Sequence, residues 1–367
     1  MLKSSLSLFS FQSNLSITRL FQLKRLIYSK SLRLYSTNKI QNIPEKKTNK
    51  LISCLKLMRA DKPIGTWLLY WPGAWSIALS ASPGCLPDLY LLGLFGVGSF
   101  LMRSSGCILN DLWDQDIDKK VDRTKSRPLA SGELNEKEAV LLLGGLLSSS
   151  LAVLLQLNPL SIILGASSLW LVVVYPLAKR FTNWPQLVLG ATFNWGALLG
   201  CTAVNGEFVP EICIPLYIAC ISWTMIYDTI YAFQDKEEDT LMGLGSTAIT
   251  FDRAPEAWLN FFSLTMMSSL LYSGFVQELT WPFLVSIIVS SLHLQWQIKT
   301  LKPDDSSDCW KKFNSNQFIG ITILIGIILS KLINEEENEL IGGLEWEKDE
   351  EENYGINKRN MNINFYS

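Results

Sequence analysis

Histidine is nearly absent from this chain of 367 residues, which contains one, His293, inside an apolar run. Chemistry that needs a histidine base or several histidine ligands is therefore disfavoured, and we predict that His293 is a packed helix residue. The seven cysteines are scattered through apolar runs and include no C-x-x-C pair. This pattern predicts buried thiols, with neither a disulfide framework nor a zinc site.

Loop motifs that bind nucleotides or calcium are also missing. The sequence has no P-loop, no G-x-G-x-x-G after a strand, no H-E-x-x-H and no G-x-S-x-G, so a nucleotide-type phosphate loop is not indicated. Asp114-x-Asp116-x-Asp118 begins like an EF-hand loop. However, Lys119 stands where that loop needs glycine and Lys125 where it needs glutamate, which excludes it.

Acidic residues are missing from the first 44 positions, which are basic and rich in serine. This composition predicts a cleaved mitochondrial transit peptide over residues 1–44, and the segment from Arg33 to Ser36 resembles a mitochondrial processing site. A disordered basic arm is the alternative. At the other end, residues 334–367 are acidic and then rich in asparagine, which predicts a disordered tail. Partner binding by that tail is the alternative.

Apolar residues make up 48% of the chain and come in long blocks. Blocks of about twenty residues are long enough to cross a bilayer as helices. We therefore predict an all-α membrane protein with about nine transmembrane helices between residues 50 and 333. The predicted spans are 64–82, 87–109, 138–157, 159–177, 185–203, 212–234, 256–276, 280–298 and 316–333.

Lysine and arginine are missing from alternate joints between these spans. The loops near 83–87, 157–159, 204–211 and 277–279 contain neither, whereas the intervening loops carry them all. The positive-inside rule supports this span count, since one missed helix would scramble the alternation. It also places both acidic stretches described below on the same side, which for a mitochondrial inner-membrane protein is the matrix side.

The first acidic stretch, Asn110 to Asp118, directly follows the second predicted span. If the helix continues, Asp111, Asp114 and Asp118 fall at i, i+3 and i+7 on one face. Carboxylates at membrane depth are costly and usually functional. Because stacked like charges repel each other, a divalent cation would stabilise them, and Asp116, off this face, is predicted to be solvated.

The second acidic stretch ends the sixth predicted span. Asp228, Asp235 and Asp239 fall at i, i+7 and i+11, close to one face, with Tyr231 one turn beyond Asp228. Glu238 lies off this face and is predicted to be solvated. Mg²⁺ prefers oxygen ligands and takes one or two carboxylates plus substrate phosphates. Two facing sets of this kind predict Mg²⁺ bridging to a diphosphate, whereas either set alone is also compatible with a solvated helix cap.

These two stretches resemble the aspartate motifs of the UbiA superfamily of intramembrane prenyltransferases. Asn110-Asp111-x-x-Asp114-x-x-x-Asp118 is similar to the first motif, and Asp228-x-x-Tyr231-Ala232-x-x-Asp235-x-x-x-Asp239 to the second. The resemblance covers about residues 50–333. Within the superfamily, it is strongest to the 4-hydroxybenzoate polyprenyltransferases of ubiquinone synthesis. Ala130, where a second proline is common, is a minor departure. The narrower match is carried by Arg59–Thr66, Met102–Cys107, Arg127–Gly132 and Tyr175–Thr182.

The resemblance implies a helix bundle around a central cavity, with both aspartate motifs on one side, that transfers a polyprenyl group to 4-hydroxybenzoate. The implied partners are polyprenyl diphosphate, 4-hydroxybenzoate, membrane lipid and a ubiquinone-synthesis complex, with no nucleic acid. The implied catalytic residues are Asp111, Asp114, Asp118, Asp228, Asp235 and Asp239, all but Asp228 also being Mg²⁺ ligands. The implied substrate-binding residues are Asn110, Arg59, Arg103, Arg123, Arg127, Tyr231 and Lys179, with orientation by lipid headgroups the alternative for loop cations.

Two arginines, Arg59 and Arg103, lie close to or within apolar spans, where a cation needs an anion. One of them is a candidate partner for the acceptor carboxylate, and the alternative is a structural ion pair with a motif aspartate. Tyr70, Trp71 and Trp75 are candidate aromatic contacts for a developing carbocation, with membrane packing as the alternative.

Three other functions remain open from the sequence. The acceptor of a prenyltransferase with these motifs can instead be homogentisate or haem. Carboxylates within a helical membrane protein also occur in cation or metabolite transporters. An inactive scaffold that uses the acidic tail as a handle is the third alternative.

Overall fold

Helices account for all the regular structure in the part of the chain that the computed structural model describes, residues 49–119 and 124–333. The predicted transit segment, Arg123 and the acidic tail lie outside these residues. The main helices are α1 (Lys50–Leu57), α2 (Ile64–Leu79), α3 (Leu89–Trp113), α4 (Glu136–Leu154), α5 (Pro159–Phe181), α6 (Pro185–Asn205), α7 (Pro210–Met242), α8 (Pro255–Val276), α9 (Trp281–Lys299) and α10 (Ser306–Ile333).

Seven of these helices, α3 to α8 and α10, are long and apolar enough to cross a membrane. The prediction of an all-α membrane protein is therefore confirmed. Helices α2, of 16 residues, and α9, of 19 residues, occupy the positions of the other two predicted spans. They are not among the seven, so the count of nine spans stays a prediction.

Several helix ends differ from the predicted boundaries, among them that of α7, which continues to Met242 beyond the predicted end at residue 234. Helix α3 continues to Trp113, beyond the predicted end at residue 109, and so includes the start of the first acidic stretch. Helix α10 begins at Ser306 instead of residue 316. Its first turns are charged, and Lys312 pairs with Asp308 at 2.6 Å. A search for apolar runs misses a helix start of this kind.

The predicted helix packing of His293 and the free thiols are both found. His293 Nε2 lies 3.0 Å from Ser315 Oγ, and its ring packs against Trp296 and Phe318. All seven cysteines are free, and five of them are buried. His293 and the five buried cysteines therefore belong to the packing between helices, whereas Cys85 is exposed, contrary to the prediction of buried thiols.

A pair of buried tryptophans ties α2, α7 and α10 together. Trp75 and Trp223 stack with their ring centroids 5.1 Å apart. Trp75 Nε1 donates a hydrogen bond to the carbonyl of Gly320 at 2.9 Å, and Trp223 Nε1 donates to Asn316 Oδ1 at 2.9 Å. Because both indole donors have partners, both rings can be fully buried.

Helices α2 and α6 approach closely because small residues line their contact. Ser76 Oγ donates a hydrogen bond to the carbonyl of Ala197 at 2.6 Å. A Cβ added at Gly200 would lie 2.7 Å from Ser76 Cβ and 2.8 Å from the carbonyl oxygen of Gly73. The glycine therefore sets the distance between the two helices.

Gly200→Ala should lower the apparent melting temperature of the detergent-solubilised protein. The added methyl group meets backbone and cannot be accommodated without separating α2 from α6, and overpacking of this kind costs about 1–3 kcal/mol. Gly144→Ala is the matched control, because a Cβ there meets nothing within 4 Å. Equal melting temperatures for the two variants would contradict this account of the α2–α6 contact.

Candidate active site

A cavity of about 800 Å³ lies between helices α2 to α7. It brings together twelve of the predicted site residues, and the thirteenth, Arg123, lies outside the described part of the chain. The predicted residues that line it are Arg59, Arg103, Asn110, Asp111, Asp114, Asp118, Arg127, Lys179, Asp228, Tyr231, Asp235 and Asp239. Both acidic stretches therefore face one space.

The first acidic stretch is not one continuous helix, so the condition under which its aspartates were expected to share one helical face is not fully met. Asp114 ends α3 with non-helical backbone angles, and a four-residue helix, Gln115–Asp118, follows. Hydrogen bonds nevertheless continue with helical spacing, from Asp114 N–H to the Asn110 carbonyl at 2.9 Å and from Asp118 N–H to the Asp114 carbonyl at 2.8 Å. Helical hydrogen bonding thus continues through the break, and the three predicted aspartates line the cavity.

Arginines hold the two most buried carboxylates of this stretch. Arg59 Nη2 lies 2.8 Å from both oxygens of Asp111. Arg127 Nη1 lies 3.0 Å from Asp111 Oδ1 and 2.7 Å from Asp118 Oδ2. Asp111 and Asp118 are only 1% and 5% exposed, and ionised carboxylates at that depth need such partners. For Arg59, the structure thus favours an ion pair with a motif aspartate.

Asp114 and Asp116 occupy different surroundings within the same stretch. Burial raises the pKa of Asp114, and the negative charge of Asp118 acts in the same direction against the opposing effect of Arg180. The Arg180 guanidinium lies 3.7 Å from Asp114. The Asp116 side chain is 90% exposed and pairs only loosely with Lys119, at 3.4 Å, as the prediction of a solvated charge requires.

The second acidic stretch contains a tighter turn inside α7. A 3₁₀ segment, Phe233–Asp235, joins the long helical part to the last turns of α7. Asp239 is 3% exposed, and Lys179 Nζ lies 3.0 and 3.2 Å from its two oxygens. Glu238 also lines the cavity, and it is exposed, as the prediction of a solvated charge requires.

Backbone contacts hold this half of the site in place. Gly245 N–H donates to the carbonyl of Lys179 at 2.8 Å. A Cβ at Gly245 would lie 1.9 Å from the carbonyl oxygen of Thr182. Thr247 N–H donates to Gln186 Oε1 at 3.0 Å. The chain after α7 is thereby fastened to the junction of α5 and α6, which carries Lys179.

Arg103 lies deep in the cavity and, among the described residues, forms no ion pair. Its guanidinium carbon lies 5.7 Å from the centre of the Phe193 ring, and its buried Nε has no hydrogen-bond partner. Gly65 leaves room for it, since a Cβ there would lie 2.3 Å from that Nε. Tyr175 and Asp228 are close enough to interact with it electrostatically.

The aromatic residues of the cavity differ from those predicted. Tyr70, Trp71 and Trp75 are not among its lining residues, and all three lie in helix packing. They come from α2, whose aromatic face packs outside the cavity. Tyr175 could have been predicted as a lining residue from its spacing, because it lies four residues before Lys179 and so on the same helix face. The aromatic side chains that line the cavity are Phe95, Tyr175, Phe193, Trp195 and Tyr231.

The donors in the cavity suit a hard divalent cation. Seven carboxylates line it, and carboxylate oxygen is the ligand that Mg²⁺ prefers. Among the described residues, no three His, Cys, Asp or Glu side chains converge to form a metal cage. This arrangement fits an ion that takes one or two carboxylates and completes its shell with water and substrate phosphates.

Comparison with known proteins identifies the family. A model of the UbiA prenyltransferase family matches residues 69–322. The chain belongs to this family. One relative of this UbiA chain, "4-hydroxybenzoate polyprenyltransferase, mitochondrial" of Caenorhabditis elegans, is 55% identical over 77% of the chain and 79% of the relative. The human protein of the same name is 51% identical over 78% and 77%. The chain is thus an enzyme that transfers prenyl groups.

Solved structures of UbiA proteins share the fold. A UbiA homolog from Aeropyrum pernix K1 has a TM-score of 0.61 at 24% identity, covering 72% of this chain and 97% of that one. A UbiA homolog from Archaeoglobus fulgidus bound to GPP and Mg²⁺ has a TM-score of 0.54 at 20% identity, covering 75% and 99%. These likenesses support the helical architecture described above.

Asp111→Asn should destabilise this UbiA protein, because it removes the carboxylate that pairs with Arg59 and one of the two that pair with Arg127. Breaking a buried ion pair costs about 3–5 kcal/mol, and we expect the lower end of that range because both arginines are partly exposed. Asp116→Asn removes the same charge from an exposed side chain and should leave stability unchanged. Thermal melts of both variants in detergent measure the difference, and equal melting temperatures would refute the structural importance of these pairs.

Proposed function

We propose that this protein transfers a polyprenyl group from a polyprenyl diphosphate to the ring of 4-hydroxybenzoate, a Mg²⁺-dependent step of ubiquinone biosynthesis. The single observation that carries the proposal is the cavity, which two carboxylate sets and five cations line together with many apolar side chains. The names of relatives about half identical to this chain support 4-hydroxybenzoate as the acceptor.

The part of the proposed site that would bind the diphosphate combines carboxylates with cationic side chains. Asn110 and Asp228 line it beside the proposed ligands. Bound Mg²⁺ would neutralise the diphosphate and make it a better leaving group. Lys179, Arg127 and Arg180 line the same region and can take the remaining phosphate charge, and Arg123 stays a candidate. The proposed Mg²⁺ ligands are Asp111, Asp114, Asp118, Asp235 and Asp239.

The apolar part of the lining suits the isoprenoid tail. Leu147, Leu151 and Leu154 of α4 face the cavity, together with Leu169 and Val172 of α5. These side chains exclude water, which would otherwise capture an allylic cation. The rings that line the cavity, Tyr231 among them, present faces that stabilise such a cation.

Arg103 is the proposed partner of the acceptor carboxylate. Arg59 already has Asp111 as its anion, whereas Arg103 faces the cavity without an ion pair among the described residues. With the carboxylate held there, the allylic C–O bond breaks, with its electron pair going to the diphosphate. The ring carbon beside the hydroxyl forms the new C–C bond and then loses its proton, and no dedicated strong base is needed.

A mitochondrial inner-membrane location, with the aspartate motifs facing the matrix, belongs to the same proposal. The acid-free basic segment at residues 1–44 and the alternation of loop charges support it. The names of the relatives also include the word mitochondrial.

A product assay on membranes that contain the chain tests this function. Labelled 4-hydroxybenzoate and a polyprenyl diphosphate should give a lipid-soluble product with Mg²⁺ and none with EDTA. Asp114→Ala and Asp235→Ala should lower the rate at least about a hundredfold, as loss of electrostatic stabilisation does elsewhere. Asp116→Ala, in the exposed part of the same stretch, should keep the wild-type rate.

Each negative outcome of the product assay favours a particular alternative. No product from folded wild-type protein would eliminate 4-hydroxybenzoate, and homogentisate and haem would then be the acceptors to test. Mg²⁺ flux through proteoliposomes without any product would instead favour a transporter.

The role of Arg103 has a separate test. Arg103→Gln should raise the KM for 4-hydroxybenzoate about tenfold or more while leaving the KM for the diphosphate nearly unchanged, since one charge-assisted contact is lost. The uncharged analogue 4-hydroxybenzamide is the matched substrate. Wild-type protein should prefer the carboxylate, and Arg103→Gln should lose that preference. An undiminished preference would remove Arg103 from the acceptor site.

A further inference from the structure

In the free protein, the first aspartate stretch is held by arginines of the chain itself. Both oxygens of Asp111 lie within 2.8 Å of Arg59 Nη2. A single nitrogen of Arg127 bridges Asp111, at 3.0 Å, and Asp118, at 2.7 Å. Two of the proposed metal ligands are thus already compensated, and a cation can reach them only if the guanidinium groups give way.

The second half of the site is built differently. Lys179 meets Asp239 through a side-chain contact, but its backbone is bonded to Gly245. Arg59 and Arg127 instead lie in the segments between helices, outside α2 to α4. Arg59 also has a backbone φ of +58°, which non-glycine residues rarely adopt, and its Nη1 donates to the Lys56 carbonyl at 3.0 Å. The backbones of Arg59 and Arg127 are also hydrogen-bonded, but both residues reach the aspartates only through their guanidinium groups, so these contacts can exchange while the backbone stays in place.

Charge makes the two incoming ligands depend on each other. The described lining residues include seven carboxylates and five cations, so a diphosphate alone adds negative charge to a space that already has an excess. A metal ion alone would displace guanidinium groups that then have no anion in a partly buried site, which is unfavourable. When both arrive, the arginines exchange a carboxylate for a phosphate oxygen, and each charge keeps a partner.

We propose that Arg59 and Arg127 hold the position of the metal in the free protein, so that metal and diphosphate bind with positive cooperativity. The arginines move from the aspartates to the diphosphate as both ligands enter. This inference rests on the proposed function and deepens it. Because such coupling is reciprocal, the diphosphate raises metal affinity by the same factor by which the metal raises diphosphate affinity.

Mn²⁺ binding to the purified full chain in detergent tests the proposal without turnover. Electron paramagnetic resonance measures free Mn²⁺, with and without saturating inorganic pyrophosphate, against a protein-free blank. Arg127→Gln should tighten binding of Mn²⁺ alone about tenfold, and pyrophosphate should then enhance Mn²⁺ binding less than in the wild type. Arg59→Gln, an independent variant should Arg127→Gln not fold, should shift Mn²⁺ affinity in the same direction.

Arg180→Gln is the matched control, since it removes one arginine from the same cavity, and Arg180 contacts Asp114 only at 3.7 Å. Equal tightening in Arg127→Gln and Arg180→Gln would overturn the proposal in favour of a general charge effect. Unchanged or weaker Mn²⁺ binding in Arg127→Gln and Arg59→Gln would overturn it while leaving the proposed function intact. No Mn²⁺ binding by the wild type, even with pyrophosphate, would overturn both.

Discussion

Compensation of buried negative charge is the constraint on which the rest of this structure depends. Six aspartates at the ends of two apolar helices face one cavity, and the chain surrounds them with cations from four separate segments. These cations come from the α1–α2 connection, from α3, from the segment before α4 and from the end of α5. Successive parts of the chain from α1 to α5 therefore each contribute a cation to the site.

Much of the site could be predicted because a charged residue in or next to a membrane helix is energetically costly and is therefore usually functional. Carboxylates such as Asp111 and Asp228, which end apolar runs, stand out against hydrocarbon and can be placed from the sequence. Spacing alone groups each set on one face. Arg127 follows the first set closely in the sequence, and the alternation of loop charges places Lys179 on the same side of the membrane. The pairing of a particular arginine with a particular aspartate, however, depends on tertiary contacts.

Features set by packing between distant segments could not be predicted. Trp75 meets Trp223 across almost 150 positions of sequence, and nothing local distinguishes it from an aromatic residue of the cavity wall. The break at Asp114 is also invisible to a helical pattern, because the hydrogen-bond spacing survives it. The charged first turns of α10 have the composition of a loop, so a prediction from apolar content makes this helix too short at its N-terminal end.

The stacked indoles of Trp75 and Trp223 have an optical consequence. Ring centroids 5.1 Å apart in a fixed, water-free setting allow their electronic transitions to couple. The near-ultraviolet circular dichroism of the folded bundle therefore contains a band that belongs to the pair and to neither ring alone. Since the two rings belong to α2 and α7, which both border the cavity, this band reports on the alignment of its walls in any detergent or lipid.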